Sequence, residues 1–324
     1  MTTSRFGSIG TPGQLHPEIP KLLQSKGPKT MDLDLAAGRA LHTQSLYALR
    51  GGIPAIYAID RMEMDSVPVE LYRPTPEPNL PVLVFFHGGG WVVGRAAEYH
   101  ATCARLAVRA HCIVVSVDYR LAPEHKFPAA VEDARAVLRW LAEEGSAAGL
   151  DWQRLAVGGD SAGGNLAAVM ALQSAQGLLP ALCLQWLIYP ALDFRDGDYP
   201  SRQTLGQGYG LEEDALQWFS AQYLRDETDK FSLLASPMMA EDSLLARVAP
   251  AHITSAGFDP LRDDAQRYAE RLEAQGRLLH HSCYEEMWHG FIHQHGRFAE
   301  SDWAIDEAVR ALRIAFAHPA ESRP

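Results

Sequence analysis

"VGGDSAGGNLA", Val157 to Ala167, sets a serine among four glycines, directly after an acid, where an apolar run gives way to an alanine-rich segment. The preceding "RLAVGG" reads as a buried strand and the following "AGGNLAAVMALQ" as a helix, so the stretch predicts strand, sharp turn, helix. Gly159 and Gly163 lie two residues either side of Ser161, where a side chain would clash between strand and helix. Such a turn holds the serine in a strained backbone conformation and at a helix N-terminus, whose unpaired N–H groups and dipole favour developing negative charge. In this setting Gly159-Asp160-Ser161-Ala162-Gly163 fits the G-x-S-x-G pattern of an exposed nucleophile. The plainer alternative is a glycine-rich turn with a serine cap.

Outward from this turn, "PVLVFF" (Pro81 to Phe86), "CIVVSV" (Cys112 to Val117), "CLQWLIY" (Cys183 to Tyr189) and "HITSAG" (His252 to Gly257) are short apolar runs bounded by turn residues, as expected of buried parallel strands. Helical patterns separate them. In "AAVEDARAVLRWLAEEG", from Ala129, residues Val131, Ala134, Val137, Leu138 and Leu141 form one apolar stripe. Strands alternating with helices predict an α/β sheet covered on both faces. Ahead of them, "AIYAIDRMEM" and "VPVELYRP" alternate with period two around Asp65-Ser66, which predicts an antiparallel hairpin at the sheet edge.

Two segments stand outside the alternation. Residues 1–50 include a helical stretch, "MDLDLAAGRALHTQSLYALRG", and Leu192 to Ala235 carries Tyr199, Tyr209, Trp218, Phe219, Tyr223 and Phe231 with little strand pattern. The second is expected to form a lid over a ligand site, a satellite helix pair being the alternative. At 324 residues and 47% hydrophobic the chain can bury a large core. A formal charge of −11 disfavours nucleic acid and anionic membrane surfaces as partners. Cys103, Cys112, Cys183 and Cys283 show no CxxC pairing and are expected to be reduced. No apolar stretch suggests a signal peptide or a spanning helix, and the expected location is cytoplasmic.

A second glycine cluster, "FFHGGGWVVG", follows the strand ending at Phe86. Its exposed N–H groups are suited to an oxyanion hole together with Ala162. Phosphate binding is the rival, but neither cluster fits G-x-G-x-x-G with its acid, or the Walker pattern. A serine nucleophile needs a base, and the base an orienting carboxylate. Asp259 in "TSAGFDPLRDD" stands just past a strand, and "LLHHSCYEEMWHGF" predicts a strand whose end presents His289. Asp263 and Asp264 fall in the next helix and are expected to cap or bridge, while His280 and His281 lie within the strand pattern. His289, His293 and His295 have spacings open to a transition metal, but without H-E-x-x-H or a completing carboxylate no metal is expected.

These residues resemble the hormonesensitive-lipase-like, bacterial family IV carboxylesterases of the α/β-hydrolase superfamily. The resemblance rests on "HGGGWVVG" at His87, "DYRLAPEHKFPAA" at Asp118, "GGDSAGGNLA" at Gly158, "DPLRDD" at Asp259 and "HGF" at His289, in the family's order, from about Val67 to the C-terminus. It implies an α/β-hydrolase fold with a mostly parallel eight-stranded sheet, a core of residues 51–191 and 236–324, and a helical cap from residues 1–50 and 192–235. It also implies Ser161 as nucleophile, Asp259 as acid and His289 as base, with Gly88, Gly89 and Ala162 donating to the oxyanion. Asp118, Tyr119, Arg120 and Glu124, together with His87, would brace the glycine loop. Trp91, Tyr189, Tyr209, Trp218, Trp288 and Phe291 are the expected lining of a compact apolar pocket for short- to medium-chain esters, and no cofactor is required. An amidase, or a lactone or carbamate hydrolase, would use the same three residues. Plant gibberellin receptors resemble the family as non-catalytic binders lacking the histidine, whereas this chain has His289. The resemblance leaves open a homodimer through an edge strand or the C-terminal helix.

Overall fold

Every residue of the apolar run Leu80–Phe86 is buried, which requires cover on both faces of the sheet it joins. The computed structural model, which describes residues 13–24 and 27–318, provides that cover. Eight strands, β1 (Ala58–Met64), β2 (Val67–Arg73), β3 (Leu80–Phe86), β4 (Ile113–Val117), β5 (Leu150–Asp160), β6 (Leu184–Ile188), β7 (Ala251–Phe258) and β8 (Leu278–Trp288), form one sheet in the order β1-β2-β4-β3-β5-β6-β7-β8. The β1–β2 and β2–β4 pairs are antiparallel and the other pairs parallel. Asp65 and Ser66 join β1 to β2 with φ of 49° and 66°, the left-handed pair that matches hairpin twist.

The helices are α1 (Ile19–Gln24), α2 (Leu35–Leu49), α3 (His100–Ala110), α4 (Ala129–Glu144), α5 (Ala162–Ala175), α6 (Pro200–Thr204), α7 (Glu213–Tyr223), α8 (Asp242–Leu245), α9 (Arg262–Ala274) and α10 (Ala299–Ala317). All five stripe residues of α4 are buried, with Leu138 and Leu141 at 0% exposure. Such side chains contribute about 1.5–3 kcal/mol each. One apolar cluster contains α4 and α5, and the other contains α3 and α10. Cys103, Cys112, Cys183 and Cys283 are free thiols. Among the described residues no helix is long and apolar enough to cross a membrane.

The topology fixes where a ligand site can form. From β3 the chain steps outward to β4 and then returns to the other side of β3 as β5. Loops leaving β3 and β5 therefore diverge, opening a crevice at the carboxyl ends of these two strands. The glycine loop follows β3 and Ser161 follows β5. Residues 192–235 leave the core between β6 and β7 and carry α6 and α7. Asn165 Nδ2 on α5 donates to the carbonyls of Ala191 and Ala235 at 2.7 Å each, joining both feet of this excursion to the helix behind the serine. Asp263 accepts from the Ser201 N–H at 2.8 Å and Asp264 pairs with Arg202 at 2.8 Å, so both acids anchor α6. Burial pushes the Asp264 carboxyl up to about 6, against the pull of Arg202.

Several histidines are packed away from water. Burial, reinforced by neighbouring histidines and arginines, pushes His252 and His295 down to about 3, and burial with His280 pushes His281 down to about 4. The unfolded chain takes up these protons below its ordinary value of about 6.5 while the folded chain does not, so stability falls as pH falls through this range. Denaturation from about pH 7 to about pH 5 should show a loss of about 1.4 kcal/mol per pH unit for each such histidine below its unfolded pKa. His252→Gln should remove one histidine's share of that slope; equal slopes in the two proteins would refute this account.

Candidate active site

The turn after β5 is as tight as its glycines suggest. A Cβ on Gly159 would lie 2.5 Å from the Phe86 oxygen and from Gly163 backbone atoms, and one on Gly163 would strike the Phe86 carbonyl. Any larger residue would separate α5 from β3. Ser161 adopts φ 56° and ψ −115°, a sparsely populated region for a residue with a side chain, and its N–H donates to the Ile188 carbonyl at 2.8 Å. Its side chain thereby stands at the head of α5.

His289 Nε2 lies 3.1 Å from Ser161 Oγ, and His289 Nδ1 lies 2.7 Å from Asp259 Oδ2. A carboxylate oxygen accepts, so Nδ1 donates and Nε2 is left to accept from the serine hydroxyl. Asp259 is fully buried, and its other oxygen accepts the Leu261 N–H at 2.8 Å, which fixes the carboxylate's orientation. Three loops from β5, β7 and β8 thus bring together residues 128 and 30 positions apart.

The glycine loop corrects one expectation. The Gly88 N–H donates to Asp160 Oδ1 and to the Tyr99 hydroxyl, both at 2.9 Å, and so points away from the serine. Gly89 and Gly90, with φ of +108° and +60°, line the cavity beside Ser161, and among the described residues their N–H groups meet no protein acceptor. The amides available to an oxyanion are therefore those of Gly89 and Gly90, together with Ala162 at the first position of α5. The resemblance alone points to Gly88 and Gly89, because only the contact with Asp160 reveals which amide is already occupied.

Asp160 is buried beneath the loop and also meets His293 Nε2 at 3.1 Å. Burial opposes its ionisation, but His293, with further help from His289 and His87, outweighs burial and holds the carboxyl below the ordinary range. His293 and His295 share the Thr102 hydroxyl, at 3.3 and 3.1 Å, while His289 meets Asp259 and Ser161. His87 stacks on Tyr119 at 4.2 Å, and its Nδ1 donates to the Gly88 carbonyl at 2.7 Å. The Tyr119 hydroxyl donates to the His87 carbonyl at 2.7 Å, and Asp118 accepts from the Ala96 N–H at 3.1 Å, just beyond the loop.

Two expected braces reach elsewhere. Arg120 pairs with Asp133 of α4 at 2.7 Å, because its side chain runs along α4 instead of toward the glycines. Glu124 binds Arg39 of α2 through two hydrogen bonds of 2.8 Å. Arg39, which no sequence motif marks, itself donates to the Val92 carbonyl at 2.9 Å and ties the N-terminal helix to the glycine segment.

A cavity of about 1470 Å³ opens over Ser161, larger than the compact pocket expected. Trp91, Trp218 and Trp288 line it, as do Phe194 and Phe219. Tyr189, Tyr209 and Phe291 do not. Tyr189 and Phe291 are fully buried behind His289, with Tyr189 4.5 Å from its ring, and Tyr209 packs on Phe258 at 5.0 Å. These three support the site from behind.

Comparison with known proteins identifies the family and the fold. A family model described as an alpha/beta hydrolase fold matches residues 83–293. The chain belongs to that family. The carboxylic ester hydrolase LipN of Mycobacterium tuberculosis is 39% identical over 295 residues, covering 87% of this chain and 77% of the relative. The ethyl acetate hydrolase of Pseudomonas putida is 40% identical, covering 76% and 78% respectively. Among solved structures, a hyperthermophilic esterase from the archaeon Pyrobaculum calidifontis superposes with a TM-score of 0.87 at 33% identity, covering 94% of this chain and all of the other.

The backbone at Ser161 yields a test independent of activity. Ser161→Gly relieves the positive φ, so its urea midpoint should rise by the equivalent of about 1 kcal/mol. A lower midpoint would mean that the turn stores no strain.

Proposed function

We propose that this protein is a serine carboxylesterase that hydrolyses short- to medium-chain acyl esters through an acyl-enzyme intermediate. The observation that carries the reading is the continuous path from Asp259 through His289 to Ser161, beside glycine amides that meet no acceptor among the described residues. The names of the relatives, as ester hydrolases, support the same chemistry.

In this reading His289 Nε2 takes the hydroxyl proton as Ser161 Oγ attacks the ester carbonyl. The tetrahedral oxyanion is held by the N–H groups of Gly89, Gly90 and Ala162, a donor set worth ~10²–10³ in rate per donor. His289 then gives its proton to the leaving alcohol, and the carbonyl re-forms as the acyl-serine. A water deprotonated by the same imidazole attacks that ester, and the proton returns to Ser161 as the acid departs. Asp259 keeps the proton on Nδ1 and stabilises the imidazolium between these steps. We read residues 1–50 and 192–235 as the cap over this centre, of which residues 1–12 and 25–26 lie outside the described residues. Trp91, Trp218 and Phe194 then provide the apolar wall against which the acyl and alcohol groups pack.

Hydrolysis of nitrophenyl esters from acetyl to palmitoyl should be fastest at the short and medium chains, and Ser161→Ala should lose several orders of magnitude of turnover. Asp259→Asn should fold normally and lose roughly 10⁴-fold in kcat, because the histidine then favours the wrong tautomer. Near-normal turnover of Asp259→Asn would move the orienting role to another carboxylate.

A further inference from the structure

Gly90 is the least constrained of the glycines beside Ser161. The Gly88 amide is held by Asp160 and Tyr99, and the Gly89 carbonyl accepts from Val92 and Val93 at 3.1 and 3.0 Å. Gly90 has a left-handed φ of +60°, and among the described residues its N–H meets no protein acceptor. Instead, the Phe219 ring packs against it so closely that a Cβ built on Gly90 would lie 2.3, 2.4 and 2.8 Å from three of its ring atoms.

Phe219 belongs to α7, and α7 is firmly seated at its C-terminal end. Tyr223 stacks on Trp91, the residue after Gly90, at 4.4 Å with the planes 8° apart. Lys126 Nζ donates to the Ala221 and Leu224 carbonyls at 2.9 and 2.7 Å, and the Phe127 N–H donates to the Tyr223 carbonyl at 2.8 Å. The ring is thus carried on a helix fixed both to Trp91, beside Gly90, and to Lys126 and Phe127.

We propose that Phe219 is a positioning residue for the oxyanion hole: its ring presses on Gly90 from the excursion side and holds that peptide with its N–H toward the reacting carbonyl. The proposal rests on the hydrolase reading above. A glycine pair with positive φ has wide conformational freedom, and an amide that must be reoriented at the moment of reaction stabilises the oxyanion less than a preorganised one. Phe219 acts through Gly90 on the transition state, so its loss should appear in kcat more than in KM. A residue that only walls the acyl site would change KM and chain-length preference instead.

Two measurements on the whole protein separate these roles: kcat and KM for nitrophenyl acetate, whose acyl group is minimal, and the affinity for phenylboronic acid, which forms a tetrahedral adduct with a serine hydroxyl. Phe219→Ala should lower kcat by about tenfold with KM changed by less than about twofold, and weaken the boronate by a similar factor. Phe219→Leu, which keeps an apolar group over Gly90, should show a smaller loss of the same kind and carries the test if Phe219→Ala does not fold. Unchanged kcat and boronate affinity in a folded variant, with altered KM or chain-length preference, would overturn the proposal alone. A wild type that neither turns over the ester nor binds the boronate would overturn the hydrolase reading, and the proposal with it.

Discussion

The Phe86 carbonyl at the end of β3 is the point against which the turn after β5 closes, and the site depends on that contact. Gly159 and Gly163 both approach it, leaving no room for a Cβ on either. With α5 drawn this close, Ser161 is forced into its positive φ, and the helix N-terminus comes to lie beside the loop that leaves β3. Strand order then separates the two loops on either side of the switch point. The serine, the glycine amides and the cavity are consequences of one backbone approach.

Beneath that contact lies a polar layer whose central member is Asp160. Its carboxylate gathers the Gly88 N–H, the Tyr99 hydroxyl and His293 in a buried setting. A buried carboxylate is tolerated when it is hydrogen-bonded, and these three partners reach both of its oxygens. The residue before the serine therefore holds the neighbouring loop from below, while Tyr119 and His87 hold it from the side.

Strands, hairpin and α4 were legible because their signals are local: an apolar run such as Leu80–Phe86, or the stripe from Val131 to Leu141, implies its own burial. That Ser161, Asp259 and His289 would meet was legible because each sits at a predicted strand end. The glycine amides were not, since Gly88 and Gly89 differ only in that an acid 72 positions away reaches one of them. The same limit applies to Arg120, drawn off by Asp133, and to Tyr189 and Phe291, whose aromatic character gives no sign that they face the core instead of the cavity. Arg39 carries no motif, because its partners, Val92, Ala122 and Glu124, come from two distant loops.

The single amide of Asn165 grips both feet of the excursion between β6 and β7. Its two N–H donors hold the exit and re-entry points of the chain together whatever runs between them, so loop closure is settled at the scaffold and not within the loop. Doubling such a loop adds only about 0.6 kcal/mol of closure cost. A change in the length of chain between the two feet therefore leaves the serine where α5 puts it, whereas Phe219, which packs on Gly90, travels with the segment itself.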